Sequence, residues 1–247
     1  MKKLFLTTFL LLSTYSTIVF SQEAKTWKAT IGVGVAAKKN LRFENRYEDM
    51  DKNVLIKTIP FITGSYGRLS LGGQGIGVRV AGNPGINATV FINRQGDRYQ
   101  GVGMAPRKDS AFVGGVLKFM KYGLAVSRDI NGRSKGWSTQ INYGEFFVLT
   151  ESLMLRAGLA VDWNDDRYAE YYYGVRKSEA TNTRREYHLN NYFLPNISFM
   201  PIYKIAQDWS LTTAVNFKLL PKDVADSPTM KGGRVEVGGI IGLSYQL

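Results

Sequence analysis

The chain has 247 residues with 32 Lys and Arg against 20 Asp and Glu, a net charge of +12, one histidine and no cysteine. The missing cysteine excludes a disulfide framework and a lipid-modified N-terminal cysteine. In an exported chain a basic balance points to anionic lipid head groups or cell-wall polymers rather than nucleic acid, and the charges here are scattered rather than clustered.

Residues 1–21 read as a secretory signal peptide: Lys2 and Lys3 precede an apolar run from Leu4 to Phe20, and Ser21 follows. Ser13, Thr14, Ser16 and Thr17 make that run too polar for a stable membrane anchor. Beyond it, no run of roughly 18 apolar residues remains, so the mature chain, 22–247, does not cross a membrane as helices.

Alternation then dominates. Trp27, Ala29, Ile31, Val33 and Val35 oppose Lys28, Thr30, Gly32 and Gly34, the pattern of a strand with one apolar face. Lys38 to Asn53 is a charged loop, and Leu55–Tyr66 is a second strand in which Pro60 suits a bulge or a rim. Arg68–Gly72 and Ile76–Ala81 are short candidate strands around a glycine-rich centre; Ile76, Val78 and Val80 point one way, Gly77, Arg79 and Ala81 the other. That centre lacks a following helix and a Lys-Ser/Thr pair, so it is not a phosphate loop; its glycines let strands bend or let a barrel wall thin. Asn83-Pro84-Gly85 is a turn, Ile86–Asn93 a strand, and Arg94–Asp109 a second charged loop. Ala111–Lys121, Leu124–Arg128, Trp137–Phe147 and Leu153–Asn164 follow as strands, the first two joined tightly, the middle pair by a polar loop at 129–136, the last by Thr150-Glu151-Ser152. Asp165 to Asn190 is the longest irregular region. The strand 191–203, a short turn at 206–208 and a final hairpin, Trp209–Leu220 with Arg234–Gln246, complete the chain.

These elements make an all-β fold of twelve antiparallel strands, or ten if the two short candidates fail. Short connections near Gly67, Pro84, Tyr122, Glu151 and Gln207 alternate with long ones near 45, 100, 132, 175 and 226. A transmembrane β-barrel of the bacterial outer membrane sorts its connections this way, short toward the periplasm and long outside. Lipid satisfies no backbone hydrogen bond, so such a sheet closes on itself. In this register Lys28, Arg79, Lys118, Arg156, Lys218, Arg234 and Glu236 all face the lumen. On the lipid face at mid-depth each Lys or Arg would cost roughly 2–4 kcal/mol.

Two stretches carry a family resemblance. Tyr172-Tyr173-Gly174-Val175 with Ser178-Glu179-Ala180 resembles the Y-[YF]-G-V-x-x-x-[EQ]-A stretch of the MipA/OmpV family, and 219–228, with Asp223, Asp226, Ser227 and Pro228, resembles its L-L-x-D-A-A-D-S-P stretch. Trp209-Ser210-Leu211 and 239–245 also fit, while the final Tyr245-Gln246-Leu247 departs from the family's usual aromatic end. The resemblance implies an outer-membrane barrel, and for the family's named member a scaffold joining a lytic transglycosylase to a penicillin-binding protein. It implies no cofactor and no catalysis.

Other chemistry is sparse. His188 has Glu186 and Asn190 near it but no serine in a recognisable motif, so a solvated loop histidine competes with a barrel-hydrolase base. Asp162, Asp165 and Asp166 match no calcium loop and read as rim acids beside basic neighbours such as Arg167. Asp223 is expected to orient its loop by accepting backbone hydrogen bonds, with Pro228 stiffening it. Tyr171, Tyr172 and Tyr173 offer a stacking surface, an interfacial girdle or a packed loop. Inward Lys and Arg leave a narrow, anion-preferring channel as the alternative to a scaffold, with 165–190 as its plug.

Overall fold

The computed structural model describes residues 27–43, 53–72 and 75–247. The expected signal peptide, residues 44–52 of the first charged loop, and Gly73 and Gln74 of the glycine-rich centre lie outside the described residues. Twelve antiparallel strands close into one barrel: β1 (Trp27–Lys39), β2 (Val54–Tyr66), β3 (Leu69–Gly72), β4 (Gly75–Gly82), β5 (Ile86–Gln95), β6 (Ser110–Phe119), β7 (Tyr122–Asp129), β8 (Trp137–Val148), β9 (Leu153–Asn164), β10 (Tyr192–Lys204), β11 (Trp209–Leu219) and β12 (Val235–Gln246). Each strand pairs with its neighbours in sequence, and β12 returns to β1 through Val33↔Leu243 and Val35↔Ile241. No sheet edge is left at the seam, which is the condition for a sheet in hydrocarbon.

Register puts the apolar alternation on the outside. Ile31 faces Ile62 and Phe217 faces Val237 across adjacent strands, and the outward Ile31, Ile62, Val33, Ile141 and Ile241 are exposed. Aromatics mark the short-turn end: Trp27 stacks on Tyr66 at 4.7 Å between ring centroids, Tyr122 meets Tyr143 at 5.2 Å, and Trp209 meets Tyr245 at 5.1 Å. An aromatic girdle at a membrane interface has this composition. Both ends of the described chain reach the same end, where the Leu247 N–H donates to the Ala29 carbonyl (2.8 Å).

Three departures from sequence expectation have physical causes. A β-bulge between Arg79 and Ala81 shifts the β4–β5 register. It sets Ala81 opposite Ala88, on the face of Val78 and Val90, and not beside Arg79 in the lumen. The stretch Asp165–Asn190 is not irregular: it holds helix α1 (Asp166–Tyr173) and a 3-10 turn at Lys177–Glu179. Asp165 caps α1 by accepting the Tyr168 N–H (2.9 Å), and Gly174 ends it by donating to the Glu170 carbonyl (3.0 Å). Another short helix, α2 (Lys222–Ala225), stands in the loop before β12.

Candidate functional site

The two ends of the lumen are built differently. At the outer end, long-loop side chains pack into a roof. Ala169 of α1, Leu41, Leu189, Leu220, Val224 and Ala225 form a buried cluster with Tyr192 and Leu194 of β10, and Tyr168, Tyr173, Tyr187 and Met230 close over it. A second cluster joins Tyr99, Met104 and Val175. Tyr172 is buried, and its hydroxyl donates toward the Gln95 and Lys108 carbonyls (3.3 and 3.2 Å). A Cβ at Gly96 would run into the Tyr172 ring, so only glycine lets the loop pass there. The tyrosine triplet is therefore a packed element; Tyr171 contributes a hydroxyl that accepts the Lys108 N–H (3.0 Å).

Two ion-pair nodes hold the roof. Arg107 and Glu179, 1% and 5% exposed, meet at 2.6 and 2.8 Å, and Glu179 also accepts the Ala105 and Arg176 N–H groups. Burial pushes the Glu179 carboxyl up, but Arg107 and these backbone donors outweigh it and hold its pKa at about 2. Arg42 donates to Asp97 (3.0 Å) and Thr229 (3.1 Å), with its guanidinium 4.8 Å from the Tyr99 ring centre and 4.4 Å from that of Tyr173. Burial alone would raise the Asp97 pKa; Arg42 and Lys38 bring it below the ordinary carboxylate value.

The resemblance motifs meet inside this roof. Ser227 donates from Oγ to the Tyr173 carbonyl (2.6 Å) and accepts the Thr229 N–H (3.2 Å). Gly174 presents its carbonyl to Arg107 (3.3 Å). Asp223 lies in α2, and its backbone carbonyl accepts the Tyr187 hydroxyl (2.8 Å). Asp226 caps α2 through its N–H to the Lys222 carbonyl (2.8 Å), and Pro228 continues the turn into Thr229. The expected role of Asp223 differs: its backbone carbonyl, and not its carboxylate, makes the loop contact, and the partner is a tyrosine hydroxyl rather than backbone N–H groups. The Ser227–Tyr173 and Arg107–Gly174 contacts join segments more than fifty residues apart, out of reach of a local reading.

Below the roof the lumen widens into two connected cavities. The upper one, about 760 Å³, lies under Tyr168, Tyr173 and Tyr192 and contains Lys38, Asp97, Lys218 and Glu236. Its charges are matched: Lys38 contacts Asp97 and Glu236, and Lys218 contacts Glu236, each at 3.5 Å. Asp162 also lines it, accepting from Gln140 (2.6 Å) and Asn196 (3.2 Å); neither it nor Asp165, the α1 cap, pairs with Arg167 in the way a rim acid would. The lower cavity, about 1240 Å³, opens among the short turns and is lined by Lys28, Arg68, Arg79, Lys118, Lys121 and Arg156. Among the described residues, Glu145 is the only carboxylate on that wall, and it is paired with Lys121. Ser70, Thr89, Val116 and Asn142 line both cavities and mark their junction.

Thus Lys28, Arg79, Lys118 and Arg156 come together in the lower cavity, and Lys218 and Glu236 in the upper. Arg234 precedes β12 at the outer rim, away from both, where its Nε donates to the Leu220 carbonyl (3.0 Å). Arg68 and Lys121 join the basic set from turns, where alternation gives no facing to read. His188 is 70% exposed on the roof, between Glu170 and Glu186 at 3.1 Å each; these carboxylates raise its pKa, and no serine shares the group. Among the described residues, no group of three or more His, Cys, Asp or Glu side chains is placed to hold a metal ion.

The chain is similar to known outer-membrane proteins. The chain is 29% identical to outer membrane protein OmpV of Vibrio cholerae over 63% of its own length and 65% of that protein's. It is 35% identical to the MltA-interacting protein of Escherichia coli over 31% of each chain. Its match thus spans less than two thirds of either relative. Among solved structures, a loop-deleted OmpT of Vibrio cholerae aligns with 90% of this chain and 99% of its own at 10% identity and a TM-score of 0.38. With relatives of this kind and a closed twelve-strand barrel, the chain is an outer-membrane β-barrel protein. The family model described as MltA-interacting protein MipA matches residues 23–247, and the chain belongs to that family.

Proposed function

We propose that this barrel is a non-enzymatic scaffold that docks cell-wall enzymes, a lytic transglycosylase in particular, on its periplasmic end. The observation that carries this reading is the asymmetry of the lumen: a packed roof outside, and a basic mouth among the short turns. The name of the Escherichia coli relative, an MltA-interacting protein, supports the class of partner.

Single turns are too small to dock a protein, but the whole mouth is not. Strands about 4.8 Å apart and tilted about 40° give a twelve-strand barrel a radius of roughly 12 Å, or roughly 16 Å with side chains. Such a disc presents on the order of 800 Å², what a stable interface takes from each partner. Lys28, Arg68 and Lys121 near its edge favour an acidic partner surface and speed its approach.

The test is a tagged pull-down from mildly solubilised envelopes, with an unrelated outer-membrane barrel as control. Specific recovery of a lytic transglycosylase or a penicillin-binding protein is expected, and its loss in Arg68→Glu/Lys121→Glu would place docking at the mouth. Recovery of nothing beyond the control contradicts the reading. The six basic side chains of the lower cavity favour a second reading, a narrow anion-preferring channel gated by the roof. Planar-bilayer conductance whose anion preference falls in Arg79→Ala or Arg156→Ala would support the channel; silence in the bilayer supports the scaffold.

A further inference from the structure

The lipid-facing wall changes character at the outer ends of β5 to β8. On β5 the outward face runs Val90, Ile92, Arg94, and on β7 it runs Leu124, Val126, Arg128; all six residues are exposed. The apolar alternation thus ends on an arginine in two strands separated only by β6, where Val113 pairs with Ile92 on one side and with Arg128 on the other. Two strand spacings and an offset of two residues put the Cα atoms of Arg94 and Arg128 roughly 12 Å apart. Aromatics share this level. Trp137 of β8 pairs with Arg128, and on the same outward face Trp163 of β9 pairs with Phe193 of β10. Aromatic girdles mark the two membrane interfaces. Both arginines therefore stand at head-group depth, above the hydrocarbon.

The loop joining β7 to β8 adds two cations in a defined arrangement. Asp129, buried at its start, accepts the N–H groups of Asn131 (2.8 Å), Ser134 (2.6 Å) and Lys135 (3.0 Å) and the Ser134 hydroxyl (2.8 Å). Asn131 in turn accepts the Ala111 N–H of β6 (2.7 Å). A loop bonded in this way loses little freedom when a ligand arrives. Arg133 donates to the Asp109 backbone carbonyl and Arg94 pairs with the Asp109 carboxylate, so these two arginines meet at one residue. Arg128 lies over the Trp137 ring, 5.3 Å from its centre, and makes no hydrogen bond among the described residues; the Lys135 ammonium is likewise exposed and unpaired. Against these four cations stands one paired carboxylate, Asp109. Those of Asp129 and Asp165 are engaged in the loop and the α1 cap, and Asp166, exposed at the start of α1, pairs with none of the four.

We propose that this rim binds a phosphorylated glycolipid of the outer leaflet, of the lipid A class. Arg94, Arg128, Arg133 and Lys135 receive its phosphates, and its acyl chains lie against Ile92, Val113 and Val126 below. The chemistry is complementary at both ends. Guanidinium groups present paired N–H donors that match phosphate oxygens, and Arg128, stacked by one face on Trp137, keeps its donor edge for such an oxygen. Two cationic foci, Arg94 with Arg133 and Arg128 beside Trp137, suit a head group with two phosphates rather than one. The exposed apolar side chains directly beneath give acyl chains a surface that a soluble anion would not use. This inference goes beyond the scaffold reading and is independent of it, since it concerns the outer face of the wall and not the periplasmic mouth.

The test is native mass spectrometry of the full mature chain refolded in detergent, titrated with bisphosphorylated lipid A, its fully dephosphorylated form, phosphatidylglycerol and inorganic phosphate. One-to-one binding of bisphosphorylated lipid A is expected, weakened about tenfold or more when its phosphates are removed. Arg128→Ala and Arg133→Ala should each weaken it by about tenfold, what loss of one hydrogen bond to a charged group amounts to. Arg128→Lys, which keeps the charge without the planar fork, should recover part of that loss. Lys177→Ala removes an exposed cation from the roof instead and should leave binding unchanged. Melting temperatures of the variants check that the barrel is intact. Equal affinity for the phosphorylated and dephosphorylated forms, or affinity unchanged in Arg128→Ala/Arg133→Ala, overturns the proposal. Inorganic phosphate or phosphatidylglycerol bound as tightly as lipid A would also overturn it, by assigning the rim to anions at large.

Discussion

The roof and the lower cavity use the same residue types to opposite ends. In the roof, Arg107 and Arg42 are nearly inaccessible, each matched to a carboxylate and enclosed by tyrosines. In the lower cavity, Lys28, Arg79, Lys118 and Arg156 line a space of about 1240 Å³, and Glu145, the one carboxylate among its described lining residues, is paired with Lys121. Matched buried charge holds loops in one arrangement. Basic charge in excess around a cavity with low-dielectric walls focuses a positive potential on whatever enters. The resemblance motifs belong to the first kind: Tyr173, Gly174 and Ser227 are bonded within the roof and do not reach the lower cavity. They hold the long loops to one another at the outer end.

The strongest way to break this contrast is Arg107→Ala. It strands the Glu179 carboxylate in a buried site, and removing one partner of such a pair costs about 3–5 kcal/mol. Guanidinium unfolding of the refolded barrel should show that loss, accompanied by protease cleavage within 165–190. An unchanged midpoint would mean that the roof does not depend on this pair. Ser227→Ala comes next. It leaves the Tyr173 carbonyl and the Thr229 N–H without their partner, at about 1–3 kcal/mol, read as a smaller shift in the same experiment.

Acid supplies a graded version. The Glu179 carboxyl titrates at about 2 in the folded chain, against an ordinary value of 4.5. Its pairing is therefore fully stabilising above about 4.5 and is lost as pH falls through about 2. Stability measured across that window should decline in the native chain and decline less in Glu179→Gln. A parallel decline in both would assign the acid sensitivity to other carboxylates. The smallest effect belongs to the lower cavity. Lys118→Ala and Arg156→Ala should change stability by no more than about 0.5 kcal/mol, as solvated positions do, while altering anion binding. Large destabilisation there would erase the distinction between the two ends.

Alternation and connection length made the barrel readable from sequence. A side-chain period of two, with glycines, prolines and charges at the breaks, marks β1 through β12 nearly to their observed bounds, even the four-residue β3. The roof was not readable in this way. Helix α1 has eight residues, three of them consecutive tyrosines, and a segment so short takes its stability from packing rather than propensity. Arg107 and Glu179 stand 72 residues apart, and nothing local in either stretch announces the pair. The bulge after Arg79 was equally hidden: one extra residue reverses the facing of Ala81 without disturbing the hydrophobic pattern. Arg68 and Lys121 escaped because turns have no facing rule.

The measurement that bears most directly on the contrast is the sidedness of the lower cavity. The chain has no cysteine, so Lys118→Cys provides a unique thiol on that wall. A membrane-impermeant maleimide applied to intact cells should leave it unlabelled, and the same reagent admitted to the periplasm should label it fully. Equal labelling from the outside would show that the roof does not close the barrel, and would contradict the division of the molecule into a sealed outer end and an open periplasmic one.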